Sequence, residues 1–120
     1  MYIAVDFDNT ICFEKYPGIG DPIPFALETL RDYVKDGHKL ILYTLRSGKP
    51  LLDAVSFLKE NGVELYAVNN NLSQNHWTAS RKVFAHVYID DRNYGTPLTY
   101  HTGFSKPVVD WSKIHLERWE

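Results

Sequence analysis

An α/β fold built on a parallel sheet is predicted by this sequence, on three observations. Apolar runs at Ile3-Ala4-Val5, Leu40-Ile41-Leu42-Tyr43, Val63 to Val68 and Val83 to Ile89 are separated, over the first half of the chain, by two stretches of helical periodicity. Alternation of that kind implies parallel strands joined by right-handed crossovers. The first two runs are almost wholly apolar rather than apolar at every second residue, the pattern of strands buried on both faces. Finally, the first and last runs end in acids, at Asp6-Phe7-Asp8 and at Asp90-Asp91.

The elements follow in order. After the first strand, Ile11 to Pro24 holds Pro17, Pro22 and Pro24 together with Gly18 and Gly20, which excludes a continuous helix. A flap or short hairpin over about 11–24 is expected, beside the strand ends where open α/β sheets bind ligands. Phe13, Glu14, Lys15 and Tyr16 are thus candidate contacts. Phe25 to Lys35 places Phe25, Ala26, Leu30, Tyr33 and Val34 on one helical face, with Asp36-Gly37 as the stop. Lys39 to Thr44 is a strand ending in a hydroxyl, with Arg46 just beyond. Pro50 to Glu60 is a second amphipathic helix, carrying Leu51, Leu52, Val55, Phe57 and Leu58 and closed by Asn61-Gly62. Val63 to Val68 is a shorter strand, Asn69 to Ser80 a polar loop with room for one helical turn, and Val83 to Ile89 the strand that delivers Asp90 and Asp91. Arg92 to Pro97 carries turn residues. Pro107 to Trp119 is expected to be a last helix, with Val108, Trp111 and His115 on one side.

A chain of 120 residues suits one domain spanning 1–120. Its 44% hydrophobic and 23% charged residues, with a mean hydropathy of −0.32, are those of a globular protein without disordered bias. The net charge of −2 and the dispersal of the 13 basic residues give no footprint for nucleic acid. No apolar run approaches the roughly 20 residues of a membrane span, and the N-terminus has no export signal. The one cysteine, Cys12, suits a reducing compartment, and a cytoplasmic setting is expected. With no base or anion-binding cluster beside it in sequence, Cys12 reads as packing rather than as a nucleophile.

The chemistry lies in the acids. Asp6 and Asp8, two apart at a strand end, suit a hard divalent cation, although an isolated Asp-x-Asp more often just ends a strand. Asp90-Asp91 change that balance. If the two strands are neighbours in one parallel sheet, four carboxylates converge, and a cation is needed to offset their repulsion. Other motifs fail: Ser47-Gly48-Lys49 lacks the remaining residues of a phosphate loop, Gly18-Ile19-Gly20 lacks a third glycine, and the five histidines show no zinc spacing.

Taken in order, Asp6-Phe7-Asp8-Asn9-Thr10, Thr44 after an apolar strand, a basic residue at Arg81 or Lys82, and Asp90-Asp91 resemble the four motifs of the haloacid dehalogenase-like phosphohydrolases. The resemblance spans Met1 to about Asn93. It implies a doubly wound α/β sheet, Asp6 as a nucleophile that becomes an aspartyl-phosphate, and Asp8 as general acid and base with its carbonyl on Mg²⁺. Asp6, Asp8, Asp90 and Asp91 would form the metal site. Thr44 would hydrogen-bond the phosphoryl oxygens, and Lys82, preferred over Arg81 as a compact point charge, would stabilise phosphate and nucleophile. Asn9, Thr10, Arg46 and Arg81 would lie against the substrate. Asn9 stands where many members carry Gly, and Asn tolerates the left-handed backbone.

Such enzymes often carry a cap domain, and this chain has room for none. The missing enclosure is expected from a second subunit over the flap or from a bulky phosphorylated substrate, with Phe13, Tyr16, Trp77 and Tyr94 at the rim. Two rivals remain. A phospho-receiver module would need an acid after the third strand, where Asn69-Asn70-Asn71 stand. A non-catalytic module would keep the pocket only to bind phosphorylated ligands.

Overall fold

The computed structural model describes residues 1–116. Strands β1 (Tyr2–Val5), β2 (Lys39–Leu42), β3 (Ala67–Val68) and β4 (Val87–Ile89) form one parallel sheet in the order β3-β2-β1-β4. In β1, Val5 sits in register with Leu42 on one side and with Ile89 on the other. The chain steps outward from β1 through β2 to β3, then returns to the far side of β1. The strand order therefore reverses between β1 and β4, where the departing loops part and leave a crevice.

Helices α1 (Ala26–Lys35) and α2 (Gly48–Glu60) are the two crossovers of the outward path. Both pack on one face of the sheet, where Ile3, Val5, Leu40 and Leu42 meet Leu27 and Leu30 of α1 and Ala54 and Leu58 of α2. Each helix ends as expected, at a glycine with positive φ: Gly37 at 92° and Gly62 at 75°. The amides beyond them reach back five residues, His38 to Tyr33 at 3.0 Å and Val63 to Leu58 at 2.9 Å, satisfying carbonyls that the helix leaves open. Leu52, expected on the apolar face of α2, is instead exposed.

Alternation along the strands turns Ala4 and Ile41 to the opposite face, where they meet Val83 and Ala85. Those residues do not extend β4. They belong to the return segment, which lies over the sheet as irregular chain with one 3₁₀ turn at Leu72–His76. Buried amide side chains replace regular backbone pairing there. Asn71 Nδ2 donates to the Phe84 carbonyl at 2.9 Å, and Gln74 donates to the Lys82 carbonyl at 2.7 Å while accepting from the Phe84 amide at 2.7 Å. Helices thus cover one face of the sheet and irregular chain the other.

The flap is a hairpin. Phe13 and Asp21 pair through an amide–carbonyl bond of 2.9 Å, as do Ile23 and Ile11 at 2.8 Å, and Ile11, Cys12, Phe13 and Ile23 are all buried in the main core. The helix expected over Pro107 to Trp119 is absent up to residue 116, and its last residues lie outside the described part. Its β-branched start instead forms β6 (Val108–Val109), antiparallel to β5 (Leu98–Thr99), and a 3₁₀ turn at Trp111–Lys113 follows. Trp111 is buried, and its Nε1 donates to the Thr10 carbonyl at 2.7 Å.

Candidate active site

Two adjacent strands deliver the acids. Asp6 and Asp90 each follow a residue of the Val5–Ile89 pair, and the Asp6 amide donates to the Ile89 carbonyl at 3.0 Å. One carboxylate oxygen each from Asp6, Asp90 and Asp91 lie within 4.8 Å of one another. Burial, reinforced by the charge of Asp90 and the hydrogen bond and charge of Asp91, pushes Asp6 up to about 8. Burial also raises Asp91 above the usual carboxylate range. A donor set of three clustered oxygens fits a hard divalent cation of the Mg²⁺ kind, which would relieve this crowding.

Asp8, whose carbonyl rather than carboxylate was expected on the cation, keeps its side chain out of the cluster. Both its oxygens accept from Arg46, Oδ2 from Nε at 2.9 Å and Oδ1 from Nη2 at 2.7 Å. The rest of the guanidinium bonds the carbonyls of Pro17 and Pro50 through Nη1, at 3.1 and 3.2 Å, and that of Gly18 through Nη2 at 2.7 Å. Its carbon also lies 4.9 Å from the centre of the Phe7 ring and 5.2 Å from that of Tyr16. Hydrogen bonding to Asp8 raises the Arg46 pKa further. Arg46, expected against substrate, lines the cleft over the acids and at the same time is a buried clamp that joins Asp8, the hairpin tip and the first turn of α2.

The loop Asn9–Thr10 is also built inward. Asn9 takes the left-handed backbone expected of it, with φ of 60°, and its side chain accepts from the Glu14 amide at 3.0 Å. Thr10 is fully buried. Its hydroxyl accepts from the Asp91 amide at 3.0 Å and lies 3.1 Å from Asp6 Oδ2 and 3.3 Å from Asp91 Oδ1. One proton serves only one of those oxygens at a time. Both residues were expected to meet substrate; Thr10 instead positions the acids, and the Asn9 side chain, though at the cleft wall, holds the loop.

A cleft of about 640 Å³ opens over the acids, with Thr44, Tyr16 and Arg92 among its walls. Thr44 sits where expected. Its hydroxyl accepts from the Arg46 amide at 3.1 Å, and the hydroxyl proton has no acceptor among the described residues. The basic residue of the third motif does not: Lys82 lines an adjoining cleft that shares Asp90, and exposed Arg81 lines neither. The return segment carries 81–82 past the sheet face as irregular chain, with no strand to bring them to the edge. Arg46 and Arg92 are the cations of the acid cleft; Arg46 is held by Asp8, whereas Arg92, which sequence reading missed because it looked like part of a turn, makes no ion pair among the described residues. Of the expected rim, Tyr16 lines the acid cleft and Tyr94 the adjoining one. Phe13 is buried against Phe104, with ring centres 4.2 Å apart, and Trp77 packs on Phe84 beside the return segment. Cys12 is packing, as expected: burial pushes its thiol up to about 12.

Fold and site together define an α/β protein with a four-stranded parallel sheet and a three-carboxylate centre at the strand ends. Among the described residues, no helix is long and apolar enough to cross a membrane. The chain is similar to the solved structure of a conserved protein from Bacteroides thetaiotaomicron, with 46% sequence identity over 79% of this chain and 78% of that chain, and a TM-score of 0.73. It belongs to the same family as that protein. No protein-family model and no curated protein matches it.

Proposed function

We propose that the chain is a Mg²⁺-dependent phosphomonoester hydrolase of the haloacid dehalogenase-like type, its fold a reduced doubly wound core without a cap domain. The observation that supports this most is the placement of Asp6 beside Asp90 and Asp91, at the strand-order reversal, in a cleft that also holds Thr44 and Arg92. Asp6, Asp90 and Asp91 would hold the cation, which when bound neutralises charge and polarises the phosphoryl oxygens.

The chain's own residues do the rest. An Asp6 oxygen attacks phosphorus as the ester oxygen departs, and water then releases phosphate from the aspartyl-phosphate. The Thr44 hydroxyl donates to a phosphoryl oxygen, and Arg92 supplies the basic charge that Lys82 was expected to bring. Asp8 moves the proton, first to the departing oxygen and then from water, and to do so its carboxylate turns out of the Arg46 clamp. The enclosure that a cap would give comes from a second subunit over the hairpin or from the body of the substrate.

The same clamp favours a second reading, a module that binds phosphorylated ligands without turnover, because both Asp8 oxygens are engaged. Phosphate release from a panel of phosphomonoesters, with and without Mg²⁺, decides between them. Turnover that requires Mg²⁺ and is lost in Asp6→Asn supports the hydrolase. Binding without turnover supports the module.

A further inference from the structure

The acid cleft continues sideways. Beyond Asp90 and Tyr43, which line both, lies a second cleft of about 650 Å³, within the size range of small-molecule sites. Tyrosines dominate its walls. The Tyr88 ring is fixed at its far end, where its hydroxyl donates to the Val83 carbonyl at 2.5 Å and accepts from the Ala85 amide at 3.0 Å. Tyr43 lies against it, ring centres 6.2 Å apart at 56°. Tyr94 stands fully exposed on the turn after β4. Lys82 lines the same cleft, and its ammonium makes no ion pair among the described residues.

We propose that this second cleft is the leaving-group subsite, and that it selects phosphate esters of flat aromatic or heteroaromatic alcohols bearing an acidic substituent. The inference rests on the phosphohydrolase reading for the position of the phosphate. With phosphate at Asp6, the ester substituent points to solvent, lies along Tyr16 on the hairpin side, or crosses Tyr43 into the second cleft, where Tyr88 and Tyr94 extend the aromatic wall. A flat ring there meets Tyr43, Tyr88 and Tyr94, and ring–ring contacts are worth more than burial of the same area. An acid on the ring reaches Lys82, whose ammonium makes no ion pair among the described residues, with Asp90 the one acid that lines the same cleft. The net reaction adds one water: Asp6 displaces the ester oxygen, which takes a proton from Asp8, and water then displaces Asp6 from phosphorus, its hydroxyl staying on the phosphate and its proton returning to Asp8.

The test separates the two readings. Binding is measured with non-hydrolysable 4-carboxybenzylphosphonate and with propylphosphonate, following the backbone amide resonances of Asn93, Gly95 and Thr96. The aryl compound is expected to shift those amides and to bind on the order of tenfold more tightly, an advantage lost in Tyr94→Ala and in Lys82→Met. Equal affinity, or shifts confined to residues around Thr44 and Asp91, overturns the subsite. In turnover, the ratio of kcat/KM for 4-carboxyphenyl phosphate over glycerol 3-phosphate should fall in both variants. Tight aryl binding with no turnover of either ester leaves the subsite standing and removes the hydrolase. Turnover whose aryl-to-alkyl ratio ignores both variants does the reverse.

Discussion

Arg46 encloses Asp8 from one side, Nε to Oδ2 at 2.9 Å and Nη2 to Oδ1 at 2.7 Å, with the Arg46 side chain 1% exposed and that of Asp8 21% exposed. All three guanidinium nitrogens are engaged, and three of their acceptors are backbone carbonyls from two separate segments. The pair is thus less an isolated ion pair than the node at which the hairpin, α2 and the loop after β1 meet.

Arg46→Lys is expected to behave almost as badly as Arg46→Met. An ammonium has three donors and no planar fork, so it cannot hold both Asp8 oxygens and the hairpin carbonyls together. Breaking a buried pair from one side costs about 3–5 kcal/mol. Thermal denaturation should show the loss, and hydrogen exchange should quicken between Lys15 and Gly20. A lysine variant that melts with the wild type would contradict the node.

The acid cluster predicts a pH dependence with a definite sign. Asp6 is raised to about 8 in the folded protein from an ordinary 3.8, so the folded state holds its proton more tightly than the unfolded chain does. The stabilisation is fully present below about 3.8 and is lost as the pH rises through about 8. Asp91, raised for the same first reason, acts in the same direction. Metal-free protein should therefore melt lower at about pH 8 than at about pH 5, and Mg²⁺ should raise Tm more at the higher pH, with proton release visible by calorimetry in buffers of different ionisation enthalpy. Asp6→Asn should flatten both trends while abolishing any turnover.

Thr10→Val keeps the shape and removes the hydroxyl, leaving the Asp91 amide without its acceptor. A buried donor left unpaired costs about 1–3 kcal/mol. Denaturant unfolding should register that loss and a Mg²⁺ titration a weaker site, both restored by Thr10→Ser. A valine variant that binds Mg²⁺ like the wild type would show that Thr10 only fills space.

Gly20→Ala tests the hairpin. A Cβ at Gly20 would fall 1.9 Å from the Phe13 carbonyl oxygen, a backbone atom that no rotamer change can move. The Phe13–Asp21 bond should open, and the Phe13 amide should lose protection from exchange while the α1 amides keep theirs.

Periodicity carried the helices and the central strands because each buries a face large enough to dictate its residues. Val5 and Ile89 read as strand ends, and parallel pairing alone then brings Asp6 to Asp90. Arg46 was not legible. It is buried between an exposed Leu45 and an exposed Ser47, and its partners are mostly carbonyls, which leave no mark in the residues that carry them. Val83 and Ala85 misled for a related reason: they are apolar because they cover the sheet, not because they belong to it. Lys82 followed that error away from Asp6. The segment around Trp111 stayed obscure because it is short and has no helical period: Val108, Val109 and Trp111 are buried in the core, and Trp111 is tied to distant Thr10 by a hydrogen bond.

That bond sets an order in time. Thr10 leaves the ribosome 101 residues before Trp111, whose indole fixes its carbonyl. The Val109 amide holds the carbonyl of Asn9 in the same way, at 3.0 Å. Strands β1 and β2 with α1 between them can dock as soon as they emerge, but the loop that carries the acids waits for Val109 and Trp111 to be braced. A nascent or truncated chain ending before Val109 would hold much of the core and lack a finished site, so the centre is silent until Val109 and Trp111 are in place.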